Sequence, residues 1–145
     1  MTMWQPGRRL FSTAAVLMIL TAAAHTAGNL TSGPPDPAEQ KLVEAMRNHK
    51  VPLGMGMNPS VHDIYMDLVF TMSITFAALG LINLVLASGP AADRRLLRRV
   101  SWTNALWLAA FLILNAVYRI PPSLISAGII ELVVIAYLLA SKRAT

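Results

Sequence analysis

Glu131 is the residue of this chain whose type and position most strongly suggest chemistry. It is the single charged residue in the apolar run Ser123 to Ala140 and lies about nine residues after Pro122, roughly 13 Å along a helix. A carboxylate near the centre of a bilayer costs about 2.5–3.5 kcal/mol, so it normally faces protein, pairs with another group or stays protonated. We interpret Glu131 as a proton donor or acceptor, or as the counter-ion of a cationic ligand. The alternative is a neutral acid that joins two helices by a hydrogen bond.

Asp67 and His25 are the other two candidate catalytic residues. Asp67 lies one turn deeper in the second apolar segment than helix capping explains, and His25 lies in the last turn of the first segment. With Glu131, they could transfer protons and orient a substrate in an isomerisation or an epoxide opening. The alternative for Asp67 is a structural salt bridge with Arg119. The side chains predicted to bind a ligand are Tyr118, Asn115, Arg119, Tyr65 and His62.

A haem or metal site is another interpretation of the histidines. His25 and His62 could supply two ligands, but neither lies in a spaced ligand motif. The chain has no cysteine, which excludes thiolate metal sites, disulfide exchange and thioether-attached haem. Met55 and Met57 could bind copper with His62, although methionine more often serves as adaptable packing. We therefore predict no metal site and no cofactor.

The composition is that of a membrane protein. Of 145 residues, 55% are apolar and 13% are charged, and the mean hydropathy is +0.54. This is too apolar for an ordinary soluble domain of the same size. The net charge is +5, but the basic residues stand in short clusters beside apolar runs. They are typical of topology signals and of contacts to anionic lipid headgroups, so nucleic acid is not an expected partner.

Four apolar runs position the candidate residues. About 20 apolar residues at roughly 1.5 Å each cover the roughly 30 Å hydrocarbon core of a bilayer. We therefore predict an all-α fold, a bundle of four transmembrane helices forming a single membrane domain over residues 1–145. The helices are expected at about 10–27, 64–88, 97–118 and 123–141, with a long polar connection at 28–60.

The first run has the features of a secretory signal, because Arg8 and Arg9 precede it and small residues lie near its end. We interpret it instead as a retained spanning helix, since paired arginines flank a first helix more often than they form a twin-arginine export signal. Gly28 and Asn29 are predicted to stop this helix.

The connection at 28–60 contains one predicted helix and one segment expected to be flexible. Residues 38–50 place Leu42 and Met46 at helical spacing, which predicts a short amphipathic helix on the membrane surface. The segment 54–57, Gly-Met-Gly-Met, is expected to be flexible. Ser60 is expected to cap the next helix, and the carboxylate of Asp63 favours the positive end of its dipole.

The distribution of basic residues predicts the orientation. One side of the membrane carries Arg8, Arg9, Arg94, Arg95, Arg98, Arg99, Lys142 and Arg143, whereas the basic residues of the other side are diluted by acidic ones. By the positive-inside rule, both termini are cytoplasmic and the connection faces outward. His25, Asp67 and Tyr118 then lie near the outer side. If they face the bundle interior, they line a cavity that opens outward and reaches down to Glu131.

Three short motifs lie at the ends of the predicted helices: Ala24-His25-Thr26-Ala27-Gly28, Ser60-x-x-Asp63-x-Tyr65 and Tyr118-x-x-Pro121-Pro122. In these motifs the chain resembles an uncharacterised family of small four-helix bacterial integral membrane proteins. The resemblance implies the same four-helix architecture and no particular activity. It singles out His25, Asp63 and Tyr65 as residues to mutate.

These patterns predict a multi-pass protein of the cell's inner, cytoplasmic membrane. Its outward-facing polar cavity is expected to bind a small lipophilic molecule such as a quinone, an isoprenoid or a sterol-like compound, with or without a reaction on it. Its expected partners are the lipid bilayer, that molecule, and either further copies of the chain or a larger membrane complex. Three alternatives stay open: a small accessory subunit, a proton-coupled transporter and a haem-binding membrane protein.

Overall fold

The computed structural model describes residues 6–89 and 93–142, which form five α-helices. They are α1 (Pro6–Thr31), α2 (Pro37–Asn48), α3 (Val61–Ser88), α4 (Arg94–Val117) and α5 (Pro121–Lys142). By length and composition, α1, α3, α4 and α5 could each cross a membrane. The prediction of an all-α chain with four such helices is confirmed, and it suggests a multi-pass membrane protein. Arg143, one of the basic residues used to predict the orientation, lies outside the described residues.

The first helix continues past its predicted end. α1 runs through Gly28 and Asn29 and ends at Thr31. Asn29 Nδ2 donates a hydrogen bond to the carbonyl of His25 at 2.7 Å, and Thr31 Oγ1 donates to the carbonyl of Ala27 at 2.7 Å. These bonds are additional, because the same carbonyls already accept from backbone N–H groups within α1. Gly28 is not among the glycines with positive φ, so it keeps a helical backbone, at a cost of only about 1 kcal/mol relative to alanine. The prediction that Gly28 and Asn29 stop the helix is therefore wrong.

The described residues divide into two compact units, and the division falls within α1 and α3. One, which we call the bundle unit, consists of residues 6–21, 76–89 and 93–142. The other, which we call the hairpin unit, consists of residues 22–75.

Within the bundle unit, α1 and α3 approach so closely that their backbones nearly touch. A Cβ placed on Gly80 of α3 would lie 2.7 Å from the carbonyl oxygen of Ala15 and 2.6 Å from Cγ1 of Ile19. One turn further along α3, the buried Asn83 donates from Nδ2 to the sulfur of Met18 at 3.6 Å. Glycine at position 80 is therefore what permits this contact between the two helices.

Aromatic rings join α3 to α4 in the same unit. Phe76 is buried, and its ring lies edge-on to Trp107 at 4.9 Å and to Phe111 at 5.4 Å between centroids. Trp107 and Phe111 are stacked nearly parallel to each other, with centroids 5.6 Å apart. Edge-on and offset pairs of this kind add about 0.5–1.5 kcal/mol beyond the area that they bury.

The remaining contacts define one end of the bundle unit. α4 and α5 pack along each other, and Arg94 Nη2 donates to the carbonyl of Ser141 at 2.7 Å. Arg8 Nη2 donates to the carbonyl of Gly89 at 3.4 Å. The starts of α1 and α4 therefore lie with the ends of α3 and α5. We call this the basic end, because it carries the arginines at 8, 9, 94, 95, 98 and 99.

At the opposite end of the bundle unit, a tight turn connects α4 to α5. Tyr118 caps α4, and Arg119 has a φ of 54°, in the left-handed region. The N–H of Arg119 donates to the carbonyl of Ala116 and that of Ile120 to the carbonyl of Asn115, which is the Schellman arrangement. Pro121 then opens α5, two residues before the predicted start at 123, because its fixed φ suits the first helical position and its missing N–H is not needed there.

In the hairpin unit, the segment expected to be flexible is instead a hydrogen-bonded turn. Lys50 and Ser60 form an antiparallel bridge, as do Gly54 and Met57. Gly54, Met55 and Gly56 all have positive φ, at 85°, 50° and 78°. The residues Lys50 to Ser60 thus form a short hairpin that leads directly into α3.

Hydrogen bonds fix both helices that flank this hairpin. Asp36 caps α2, its Oδ1 accepting from the N–H groups of Ala38 and Glu39 at 2.8 Å each. Ser60 Oγ accepts from the N–H of Asp63 at 3.1 Å, and Asp63 Oδ2 accepts from the N–H of Ser60 at 2.9 Å. This reciprocal capping box confirms the predicted cap and accounts for Asp63 structurally.

Candidate functional site

Glu131 is held at the border of the buried face of α5. The buried residues of that face include Ala127, Ile130, Val134 and Leu138. At about 100° per residue, Glu131 lies roughly 40° around the helix from Ala127, and it is half-buried. Its Oε2 is buried and accepts no hydrogen bond from any residue that the structure describes. An unsatisfied buried oxygen of this kind costs about 1–3 kcal/mol unless something else donates to it.

Three predicted binding residues of the bundle unit lie near the α4–α5 turn. Counted along the two helices from that turn, Glu131 is at least about seven residues further into the bundle than any of them. Asn115 is buried, and its Nδ2 donates to the carbonyl of Phe111 at 2.7 Å within its own helix. Tyr118 is 72% exposed and Arg119 is exposed. Because α5 rises about 1.5 Å per residue from Pro121, Glu131 lies roughly 15 Å along the helix from that turn.

Arg119 occupies a backbone conformation that its side chain disfavours. Its φ of 54° is the αL conformation at the position after the C-cap, where glycine is usual. A residue held in αL at this position costs of order 1 kcal/mol relative to glycine. An arginine kept there at that cost is consistent with a side chain that serves a purpose beyond the turn.

His25 makes the clearest side-chain contact of the hairpin unit. Its Nδ1 lies 2.9 Å from Oγ of Ser73, which joins α1 to α3 by a hydrogen bond in the part-buried region between them. Ser73 is buried and His25 is half-buried. The other ring nitrogen, Nε2, forms no hydrogen bond to a described residue, which leaves it available to a ligand.

His62 and Tyr65 share the face of α3 that carries Ser73, whereas Asp67 does not. By helical rotation, His62 and Tyr65 lie within about 80° of Ser73, and Asp67 lies roughly 120° away. Asp67 is exposed, His62 is half-buried and Tyr65 is 50% exposed. The hairpin unit therefore joins His25 to Ser73 at a seam between α1 and α3. Tyr65 and His62 lie roughly 12 and 16 Å further along α3, past the end of α1, and Asp67 lies on another face of the helix.

Sequence reasoning missed Ser73 as a functional neighbour. It stands among the small residues of α3, which by themselves indicate only close helix packing. Its position on the helix could have pointed to it, because Ser73 shares a face with Phe76, Gly80 and Asn83. Which residue of α1 it would meet could be found only from the pairing of the two helices.

The predicted groups fall into separate sets. Glu131, Asn115, Tyr118 and Arg119 belong to the bundle unit, and His25, His62, Tyr65 and Asp67 belong to the hairpin unit. The predicted meeting of Glu131 with Asp67 and His25, and the predicted salt bridge between Asp67 and Arg119, therefore stay predictions. Over residues 6–89 and 93–142, no group of three or more His, Asp or Glu side chains is arranged to hold a metal ion.

Buried polar residues also occur toward the basic end of the bundle unit, among them Asn83 and Asn104. Ser101 and Ser141 are buried there as well. Ser101 Oγ donates to the carbonyl of Leu97 and Ser141 Oγ to that of Leu138, so both hydroxyls are satisfied within their own helices. They therefore contribute to the structure of the helices and not to a polar path.

Comparison with known proteins assigns no function to these residues. No family model matches the chain, and neither a curated protein nor a solved structure matches it significantly.

Proposed function

We propose that this chain is an integral protein of the cell's inner membrane that binds a small lipophilic molecule, with Glu131 as the group that recognises it and can exchange a proton with it. The observation that carries this proposal is the buried Oε2 of Glu131, which no described residue satisfies. Within a membrane, such an oxygen needs a hydrogen-bond donor or a proton.

The surroundings of Glu131 indicate what kind of ligand would fit. Gly128, one turn earlier in α5, has open space where a Cβ would stand. Leu132 and Ile135, which follow on the exposed side of the helix, are 68% and 39% exposed. A molecule with an apolar body and one hydroxyl or amine would bury these side chains and donate to the carboxyl group. Quinols, isoprenoid alcohols and sterols all have this form.

The orientation is supported by the basic end. Its arginines would lie in the cytoplasm by the positive-inside rule, which gives an N-in, C-in topology. The α4–α5 turn, with Tyr118 and Arg119, would then face outward. α2 would lie on the outer membrane surface, because none of its residues is buried and Leu42 is 60% exposed.

The His25 seam of the hairpin unit is proposed as a second polar region of the same protein. His25 Nε2, His62 and Tyr65 could orient a substrate or relay protons, and an exposed Asp67 could deliver protons from water. If a reaction is catalysed, it is acid–base chemistry with Glu131 as donor or acceptor.

The test uses the full-length protein with Glu131→Gln, and with Glu44→Gln as a control at an exposed position of α2. Lipids that co-purify with each form are extracted and identified by mass spectrometry. We expect one class of lipophilic molecule to be reduced at least about tenfold in Glu131→Gln, since a hydrogen bond to a charged group is worth about 1.5–3 kcal/mol. An unchanged lipid profile, with Glu131→Gln folded as the parent is, would overturn the proposal.

A second candidate, a small subunit of a larger membrane complex, is favoured by the hairpin. Met55 at its tip is 92% exposed, and Leu53 and Met57 beside it are 56% and 49% exposed. Three exposed apolar side chains on an ordered turn suit a contact with a partner protein. This candidate predicts that Glu131→Gln has no effect, whereas Met55→Glu abolishes co-purification of the partner.

A further inference from the structure

The basic end of the bundle unit contains a buried tyrosine that belongs to neither the Glu131 region nor the His25–Ser73 contact. Tyr137 of α5 is only 2% exposed. Its ring lies edge-on to Phe11 of α1 at 5.5 Å between centroids, and a Cβ on Gly7 would lie 3.3 Å from its Cε2. The ring is thus wedged against the first turns of α1, which fixes the direction in which its hydroxyl points.

The hydroxyl of Tyr137 makes no hydrogen bond to any described residue. Its oxygen is not among the buried atoms that lack a partner, so the ring is buried but the hydroxyl reaches accessible surface, where a ligand can meet it. The arginines Arg94 and Arg98 of α4 lie close enough to the hydroxyl to interact with it electrostatically. Neither guanidinium can accept a proton from it, because arginine is a donor only. The hydroxyl therefore lacks an acceptor at a place where positive charge is concentrated.

The charge of Arg98 is not balanced by an acidic residue of the described chain. Arg98 is half-buried and forms no ion pair or hydrogen bond with a described residue. Asp93 is the single acid near the start of α4, and its Oδ1 accepts from the N–H of Arg95 as the cap of that helix. Arg95 and Arg99 are exposed on the adjoining turns. An anion with several acceptor oxygens would complete this arrangement.

We propose that the basic end binds the phosphate of an anionic phospholipid, with Tyr137 and Arg98 as its specific contacts. The tyrosine hydroxyl donates to one phosphate oxygen, and the guanidinium of Arg98 donates to two others in the bidentate geometry that arginine favours. Arg95 and Arg99 add a less specific attraction to the negative headgroup. A lipid is the expected source of the phosphate because this end is where the apolar helices α1 and α4 begin, at the level of a membrane surface.

The site does not depend on the proposed role of Glu131. Glu131 lies about six residues before Tyr137 in α5, roughly 9 Å along the helix, and a variant of one leaves the other unchanged. Loss of the lipophilic molecule with retention of the phospholipid, or the reverse, would therefore separate the two proposals.

The experiment measures the thermal unfolding midpoint of the full-length protein in a neutral detergent. The probes are phosphatidylglycerol, phosphatidylcholine and inorganic phosphate. The variants are Tyr137→Phe, which keeps the packed ring, and Arg98→Gln. Arg47→Gln, at an exposed position of α2, makes the same change as Arg98→Gln away from the basic end and serves as the control.

We expect phosphatidylglycerol to raise the unfolding midpoint of the parent protein and of the control Arg47→Gln equally. Tyr137→Phe and Arg98→Gln should each need about tenfold more of this lipid for the same rise, as expected for one lost hydrogen bond to a charged group. Phosphatidylcholine and inorganic phosphate should have little effect.

Three results would overturn the assignment. Equal stabilisation by phosphatidylcholine would mean that no anionic group is recognised, and equal stabilisation by inorganic phosphate would mean that the ligand is not a lipid. A Tyr137→Phe protein that responds as the parent does would mean that the arginines attract lipid without a defined site. Should Arg98→Gln fail to fold, Arg98→Lys replaces it: it keeps the charge and should still lose affinity because it cannot bind in bidentate fashion.

Discussion

The bundle unit and the hairpin unit are stabilised by different kinds of contact. In the bundle unit, large side chains such as Phe76, Met18 and Leu108 are fully buried, and α1 and α3 meet at Gly80. In residues 22–75, all of which the structure describes, the buried residues are Ala22, Ser60 and Ser73, and none is larger than serine. Hydrogen bonds of caps, bridges and side chains shape this unit instead.

The two units are therefore expected to tolerate different amino-acid substitutions. Close packing specifies the bundle unit by shape, so altered volume there forces neighbouring side chains or backbones to move. The hairpin unit depends on individual polar contacts worth about 1 kcal/mol each. Its predicted site residues are accordingly more accessible, as suits groups that exchange protons or bind a ligand.

The largest effect is expected from Phe76→Ala. Removing this ring leaves a cavity against Trp107 and Phe111 and should lower the free energy of unfolding by about 3–5 kcal/mol. The matched change Phe70→Ala, at a half-buried position in the hairpin unit, should cost less than half as much. Denaturant titration of both variants in detergent measures this, and equal losses would remove the contrast between the units.

Gly80→Ala should have the next largest effect and lower the free energy of unfolding by about 1–3 kcal/mol. The added methyl group would lie 2.7 Å from the carbonyl oxygen of Ala15, so α1 and α3 must move apart. Gly128→Ala, also inside a helix but with nothing within 4 Å of the new atom, should be neutral or stabilising. A Gly80→Ala protein as stable as Gly128→Ala would contradict the close approach of the two helices.

Ser60→Ala tests the polar construction of the hairpin unit. It removes the hydrogen bonds that the Ser60 hydroxyl makes with Asp63 in the capping box, and it should lower the free energy of unfolding by about 1 kcal/mol. Amide hydrogen exchange should quicken in the first turn of α3. Ser32→Ala, which loses an exposed hydrogen bond of 3.3 Å to the carbonyl of Asn29, should change stability by a few tenths of a kcal/mol at most.

Arg119→Gly should act in the opposite direction. Glycine adopts the φ of 54° without strain, so the free energy of unfolding should rise by about 0.5–1 kcal/mol. If Arg119 contributes to binding, the more stable variant should also bind the lipophilic molecule less well. No gain in stability would show that the arginine side chain itself stabilises the turn.

Met55→Ser should have the smallest effect on folding, within about 0.5 kcal/mol, because the side chain is 92% exposed. Met18→Ser, at a fully buried position of the bundle unit, is its matched opposite and should cost several times more. Thermal unfolding in detergent compares the two. A large loss for Met55→Ser would mean that the hairpin tip is covered by another molecule.

Much of the local structure followed from the residues alone. Runs of about 20 apolar residues predict spanning helices, and the pair Ser60 and Asp63 predicts where one of them begins. The end of α1 did not follow, because a glycine stops a helix only where it adopts positive φ, and Gly28 does not. The hydrogen-bonded turn at Gly54 to Met57 was not predicted, because its two isolated bridges pair residues on opposite sides of the loop.

The all-α class, the four apolar helices and the chemical types at the polar positions can be read from the chain alone, because hydropathy and capping act between residues close in sequence. Three features emerge only when the helices pack: His25 meets Ser73, Oε2 of Glu131 lacks a described donor, and the ring of Tyr137 packs against Gly7 at the basic end. These are contacts between helices far apart in sequence. They depend on how each helix is rotated about its axis, which an almost uniformly apolar segment does not reveal.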